Sequence, residues 1–184
     1  MHETLPFAAW CRRIQASDRA AFTELYQALQ ADLIRYALRV THDERAAQDV
    51  VQETFVKVWQ KRETLDPNRS LRALLYTTTR NLSINVVQSY RNRYGEADAE
   101  GLDRLGEASG VEARIDADRL SRRMQAWIEE LPERRREAFR LSRDSGLSHD
   151  EIAEVMQVSP RTVNTHIVLA LRFLRERLHA FEGA

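Results

Sequence analysis

An all-α fold is what this 184-residue sequence predicts. Only 4 Pro and 6 Gly interrupt it. No segment sustains the apolar–polar alternation of a half-buried strand. Apolar residues instead recur at the three- and four-residue spacing of amphipathic helices. The pattern resolves into two small helical domains, residues 1–94 and 119–184. A flexible acidic linker over 95–118 joins them, and the second domain carries a helix-turn-helix.

The opening stretch, "MHETLPFAAWCRRI", lacks the apolar core of a signal peptide. The first helical stripe is Phe22, Leu25, Tyr26, Leu29 and Leu33, continued by Ile34 and Ala37. "THDERAAQDVVQETFVKVWQKR" follows, with Thr41 as its expected N-cap. Placed at about 100° per residue, Val51, Phe55, Val58 and Trp59 fall on one side. Adjacent pairs such as Val50-Val51 rule out strand alternation. Val56 lands on the other side, among Asp49, Gln52, Glu53 and Gln60. That side is either an ordinary solvated face or the centre of a protein-binding patch. After the polar loop "ETLDPNRS", helical spacing resumes at Leu71, Leu74, Leu75, Thr78, Leu82 and Val86.

"GEADAEGLDRLGEASG" breaks the pattern, with glycine, acid and few bulky apolar residues. Beyond it, Leu120, Met124, Trp127, Ile128 and Leu131 form a stripe. Pro132 is expected in the first turn of the next helix, which carries Ala138, Phe139 and Leu141 and ends at Gly146. Ser148 and Glu151 make an S-x-x-E capping box, with Leu147 and Ile152 at the positions of a hydrophobic staple. Gln157-Val158-Ser159 is a turn. Ser159 caps a last helix with Pro160 at its first position and Val163, Ile167, Ala170, Leu171 and Leu174 inward. Two capped helices across a short turn make a helix-turn-helix. Ser159, Arg161, Thr162, Asn164, Thr165 and His166 crowd the end of the second helix that such motifs insert into the DNA major groove. Arg, Asn and Thr suit base edges and phosphates. An ordinary helical hairpin with a polar face is the competing reading.

Charge supports two nucleic-acid-facing blocks. The first 94 residues carry 14 Lys+Arg against 10 Asp+Glu, or +4; residues 95–118 carry 2 against 8, or −6; residues 119–184 carry 12 against 10, or +2. Lys57 and Lys61 are the only lysines. The arginine bias suits bidentate contacts, and an Arg-rich genome would produce it equally. One cysteine, Cys11, forms no internal disulfide and fits a reducing, cytoplasmic setting. Scattered histidines provide no metal site, no apolar run reaches the roughly 20 residues of a membrane span, and no phosphate loop or hydrolase motif is present. The expectation is a protein that is not an enzyme, without cofactor, metal or membrane insertion.

Taken in order, these motifs resemble the extracytoplasmic-function (group IV) sigma-70 factors of bacterial RNA polymerase. The resemblance covers roughly Phe22–Tyr94 and Leu120–Leu178. "AAQDVVQETFVKVW" is similar to the family's core-binding helix, "SLRALLYTTTRNLSIN" to its promoter-melting and minus-ten segment, and "LPERRREAFRLSRDSGLSHDEIAEVMQVSPRTV" to its minus-thirty-five domain. The resemblance implies contact with the polymerase core, at the β′ clamp and β flap. Asp49, Gln52, Glu53, Phe55, Val56 and Trp59 would form the core-binding set. Minus-ten DNA would meet the loop Asp66–Ser70 and Arg72, Tyr76, Arg80, Asn81 and Asn85. Minus-thirty-five DNA would meet Ser159, Arg161, Thr162, Asn164, Thr165 and His166. Promoter DNA and the polymerase core are the expected partners, and an anti-sigma factor is a further candidate. The last helix departs from the family: Asn164, Thr165, His166 and Leu169 stand where many relatives carry Arg or Lys, and Gln157 replaces a common turn Gly. "SPRTVNTHI" is equally similar to LuxR-type regulators. A LuxR-type regulator that is no polymerase subunit is therefore the alternative. Its response-regulator form would show βα alternation in the first ninety residues, where this chain shows helices.

Overall fold

The structure is a computed structural model that describes residues 6–94 and 115–182. Among the described residues all regular structure is helical. The chain divides into two compact units, Met1–Arg104 and Leu105–Ala184. The linker expected over 95–118 lies largely outside the described residues.

The first unit comprises α1 (Phe7–Gln15), α2 (Arg19–Thr41), α3 (Glu44–Gln60), a 3-10 turn (Arg62–Thr64) and α4 (Leu71–Tyr94). Helices α2, α3 and α4 pack on one another, and α1 closes against α2 and α4. Ile14, Leu25, Leu33, Leu75 and Tyr76 are fully buried there. Each such side chain contributes about 1.5–3 kcal/mol of transfer free energy.

The termini of α2 and α3 show why these segments start where they do. Asp18 caps α2, its Oδ1 accepting from the amides of Ala20 (2.9 Å) and Ala21 (3.1 Å). The Ala21 amide, then the Arg13 side chain, holds the Asp18 carboxyl below its ordinary value. Thr41 is not the N-cap of α3. It is the last residue of α2, and its hydroxyl donates back to the Ala37 carbonyl at 3.0 Å. His42 then turns left-handed at φ 54°, and Asp43 caps α3 through Ala46 N at 2.7 Å. An anionic cap near the positive end of the helix outcompetes a hydroxyl two residues earlier.

Helix α1 was not evident from periodicity. Trp10, Cys11 and Ile14 share its buried face. Trp10 Nε1 donates to Glu24 at 2.8 Å, and Arg13 joins Glu24 and Asp18. Burial, then the nearby Asp66 charge, pushes the Cys11 thiol up, which keeps it an inert thiol.

The stripe on α4 is rotated from the expected one. Leu71, Leu75 and Leu82 are buried, but Leu74 is 40% exposed, whereas Ala73, Tyr76, Thr79 and Ser83 are inside. Helix α4 packs against α1, α2 and α3, so its buried arc is wider and centred differently from a single-neighbour stripe. Where α4 crosses α3, Thr79 and Thr54 pair by their hydroxyls at 3.1 Å, and Thr54 also donates to Val50 O at 2.9 Å.

The second unit comprises α5 (Ile115–Glu129), α6 (Glu133–Arg143), α7 (His149–Met156) and α8 (Pro160–Glu182). Trp127, Ile128, Leu131, Phe139, Ala170 and Leu174 form one core cluster. Pro132 is the N-cap of α6, one position before the first turn assigned from sequence. Arg136 and Arg140 both reach Glu129, tying the end of α5 to α6. Burial pushes the Glu129 carboxyl up, but Arg140 and then Arg136 outweigh it and leave it low.

Gly146 takes φ 62°, and Leu147 N reaches Leu141 O at 3.0 Å to close the end of α6. The capping box is present in full: Glu151 N donates to Ser148 Oγ (3.2 Å), and Ser148 N to Glu151 Oε2 (2.8 Å). Leu147 and Ile152 are buried on either side of it. Gln157 occupies the left-handed turn at φ 55°, ψ 48°. A Cβ there costs roughly 1–2 kcal/mol, part of which glycine's greater unfolded freedom offsets. Gln157→Gly is thus expected to stabilise this unit by about 0.5–1 kcal/mol, read as a higher midpoint in thermal unfolding followed by helical circular dichroism. An unchanged or lower midpoint would show that the glutamine side chain supplies a compensating contact.

Candidate functional site

Three exposed surfaces collect the candidate residues. The first is the outward face of α3. Val50, Val51, Thr54, Phe55 and Val58 point inward, while Asp49, Gln52, Glu53, Val56 and Gln60 are exposed. Val56 is 46% exposed at the centre of this polar set. Lys57 pairs with Glu53 at 2.9 Å, both side chains in solvent, so the pair is weak and exchangeable. Phe55 does not join the face. It is 3% exposed, with its ring 4.8 Å from Tyr26 and 5.9 Å from Phe22. Trp59 is half-buried, 4.9 Å from Phe22, with Arg62 stacked over its ring at 4.9 Å. The aromatic pair therefore fastens α3 to α2, and the presented surface is Asp49, Gln52, Glu53 and Val56.

The second surface runs along α4. Leu74, Asn81 and Asn85 are exposed at intervals that keep them on one side of the helix. Tyr76, assigned from sequence to this surface, is 0% exposed and packs edge-on against Tyr36 at 5.5 Å. It cannot stack on a base. Arg80 is half-buried. Arg72 is half-buried as well, with its guanidinium 5.8 Å from the Phe7 ring centre. The preceding loop is built by its own side chains. Asp66 Oδ1 accepts from Asn68 N at 2.9 Å, and Ser70 Oγ accepts from Ala73 N at 3.0 Å, capping α4.

Sequence reasoning missed the far end of this surface. A groove of about 410 Å³ between α3 and α4 is lined by Lys57, Leu82, Asn85, Val86, Tyr90 and Arg93, among others. Tyr90 is 59% exposed. The signal was present in "NVVQSYRNR", where Tyr90 and Arg93 follow Asn85 at five and eight residues and interleave an aromatic with cations.

The third surface is the start of α8. Arg161, Asn164, Thr165 and Val168 are exposed, while Thr162 and His166 are half-buried. Ser159 Oγ accepts from Thr162 N (3.1 Å) and shares a hydrogen bond with the Thr162 hydroxyl (2.8 Å). Both hydroxyls are committed to the cap, and the Thr165 hydroxyl donates to Arg161 O at 3.0 Å, which leaves Arg161 and Asn164 as the outward polar side chains with uncommitted donors. Burial, then the Arg135 and Arg134 charges, holds the His166 imidazole below its ordinary value.

Comparison with known proteins matches a segment of each unit to a family model. The family model for Sigma-70 region 2 matches residues 25–93, and that for Sigma-70, region 4, matches residues 121–174. The chain is 34% identical over 167 residues to the ECF RNA polymerase sigma factor SigL of Mycobacterium tuberculosis, covering 87% of this chain and 90% of the relative. This chain belongs to the extracytoplasmic-function sigma-70 factors.

The sigma factor also shares its fold with solved structures. CnrH in complex with the cytosolic domain of CnrY superposes with a TM-score of 0.64 at 24% identity, covering 95% of this chain and 97% of that one. RpoE of Bartonella quintana, in complex with the anti-sigma factor NepR, superposes with a TM-score of 0.65 at 21% identity, covering 86% and 96%. Helices α2 to α4 of the sigma factor lie almost wholly in the region 2 match, and α6, α7 and most of α8 in the region 4 match. The first unit is thus region 2, not the receiver of a LuxR-type regulator. Among the described residues, no helix of the sigma factor is long and apolar enough to cross a membrane.

Proposed function

We propose that this sigma factor grips the polymerase core, at the β′ clamp, with the outward face of α3. The observation carrying the reading is Val56, an exposed apolar residue ringed by Asp49, Gln52 and Glu53 on a helix otherwise fastened to its own unit by Phe55 and Val58. Carboxylates steer a cationic partner and set register; the apolar centre supplies the desolvated contact. An anti-sigma factor competing for the sigma factor, and a contact of the second unit with the β flap, are proposed on the family resemblance.

Promoter reading is divided between the units. Residues 1–94 engage unpaired minus-ten DNA, and 119–184 engage duplex minus-thirty-five DNA across the acidic stretch. Asn81 and Asn85 support the first role, because their amides can pair with exposed base edges. Tyr90 adds a stacking platform and Arg93 a phosphate contact at the same end of α4. Arg161, Asn164 and Thr165 at the start of α8 support the second.

Asn164→Ala is expected to lose about 1–3 kcal/mol of base discrimination, and so to weaken promoters according to their minus-thirty-five sequence. Asn81→Ala is expected to impair melting whatever that sequence is. Run-off transcription with permanganate probing of unpaired thymines separates the two defects. Normal melting with Asn81→Ala, together with indifference of Asn164→Ala to minus-thirty-five changes, would overturn this division.

A further inference from the structure

Glu53 and Lys57 border two surfaces at once. They lie one turn apart on α3, and their side chains pair at 2.9 Å. Glu53 is exposed beside Val56, on the face given above to the polymerase. Both residues also line the groove of about 410 Å³ between α3 and α4, with Asn85, Ser89, Tyr90 and Arg93. A single ion pair therefore stands on the boundary between the surface that grips polymerase and the groove that meets DNA.

Charge decides what the groove accepts. Its charged lining residues are Glu53, Lys57 and Arg93. Cations interleaved with an exposed aromatic suit an unpaired nucleotide strand, whose bases stack while its phosphates pair. Glu53 works against that use twice. It repels a phosphate directly, and it holds the Lys57 ammonium that would otherwise attract one. The hold is weak. The Lys57 side chain is 45% exposed and that of Glu53 54%, and ion pairs this open to water contribute little. A cation brought by a partner on the outer side of α3 displaces Lys57 from the carboxylate at small cost. The groove then loses one negative charge and gains a released ammonium.

We propose that Lys57 is a phosphate contact for the unpaired minus-ten strand, and that Glu53 withholds it until polymerase engages Glu53. The inference rests on the polymerase face given to α3 and on the minus-ten role given to the groove, and it adds a link between them. In the free protein Lys57 is paired within its own helix, and the groove is poor at holding a strand. In the complex with polymerase the same lysine faces a phosphate. The link is reciprocal: whatever factor polymerase adds to strand affinity, the strand adds to polymerase affinity.

The test measures binding of a short fluorescein-labelled DNA single strand of mixed sequence to the full chain, by anisotropy over a range of salt. Such a strand reads a phosphate contact whatever its bases. Glu53→Gln is expected to tighten binding by about two- to fivefold and to steepen the logarithmic salt slope by about 0.7, the signature of one more phosphate contact. Lys57→Gln should hardly change the parent, yet should remove the extra slope and most of the gain when added to Glu53→Gln. With core polymerase bound, Lys57→Gln should weaken the strand by a similar factor. Both side chains are exposed, so circular dichroism should show all variants folded. An equal loss from Lys57→Gln in the parent and in Glu53→Gln would overturn the withholding, while the minus-ten role of the groove stands as long as Tyr90→Ala still weakens the strand. If Tyr90→Ala and Arg93→Gln also leave strand affinity unchanged, the groove holds no DNA and both readings fail. If Lys57→Gln and Tyr90→Ala instead lower affinity for core polymerase, the groove belongs to the polymerase contact and the proposal is overturned.

Discussion

Reversing two charges on α3, Asp49→Arg with Glu53→Arg, is expected to abolish binding to core polymerase while leaving the fold intact. Both side chains are exposed, and the inward residues Val50, Val51, Phe55 and Val58 are untouched. The change removes the Glu53–Lys57 pair, an i,i+4 contact worth about 0.3–0.5 kcal/mol, so helix content should hardly change. At the proposed interface, two contacts expected to be attractive become like-charge contacts. A cost of about 3 kcal/mol or more follows, over a hundredfold in Kd. Competition against a labelled sigma factor for core polymerase, with circular dichroism as the folding control, measures both. A folded double variant that competes as well as the parent would place the polymerase contact elsewhere.

Phe55→Ala is expected to do the opposite: to unfold the first unit without defining any contact. The ring is closed in by Phe22 and Tyr26, and its removal from a packed core costs about 3–5 kcal/mol, a large fraction of the total stability of a small domain. Val56→Ala, one residue on, removes a half-exposed side chain and should change stability by no more than about 0.5 kcal/mol, while weakening polymerase binding. Urea unfolding of both variants decides the matter. If Phe55→Ala stays as stable as the parent and only loses affinity, the ring belongs to the interface after all.

The contrast between these neighbours marks where the sequence was legible. The helical wheel separated Phe55 from Val56 correctly, because α3 has one broad buried side. Assigning Phe55 to the polymerase contact came from family resemblance, and packing against Phe22 and Tyr26 overrides it. The helix-turn-helix was readable almost to the residue. Gly146, Ser148, Glu151, Ser159 and Pro160 act through the backbone within a few positions, so their chemistry is local. Helix α1 was not readable, since its place depends on Trp10 and Arg13 reaching Glu24 far along the chain. Tyr76 failed for a related reason. Which side of α4 is inside depends on three neighbouring helices, and a wheel drawn for one helix cannot weigh them. Val56, Asn81, Asn85, Arg161 and Asn164 lie outward as read. Tyr90 and Arg93 were overlooked because only the folded groove brings them next to Lys57 and Asn85.

The threonine pair between α3 and α4 has a consequence for the two outward faces these helices carry. The Thr54 hydroxyl has one proton, given to Val50 O, so the Thr79 hydroxyl must be the donor between the two. Sliding or rolling α4 by one residue would strand Thr79 in an apolar interface, at about 1–3 kcal/mol. Two valines of the same shape would bury as well and cost nothing when misaligned. The pair thus acts as a key in a lock whose walls are otherwise greased. It adds little to how tightly the helices hold and much to the angle at which they stop. The direction in which Val56 faces and the direction in which Asn81 and Asn85 face are thus held in one fixed relation, and this hydrogen bond helps to set it.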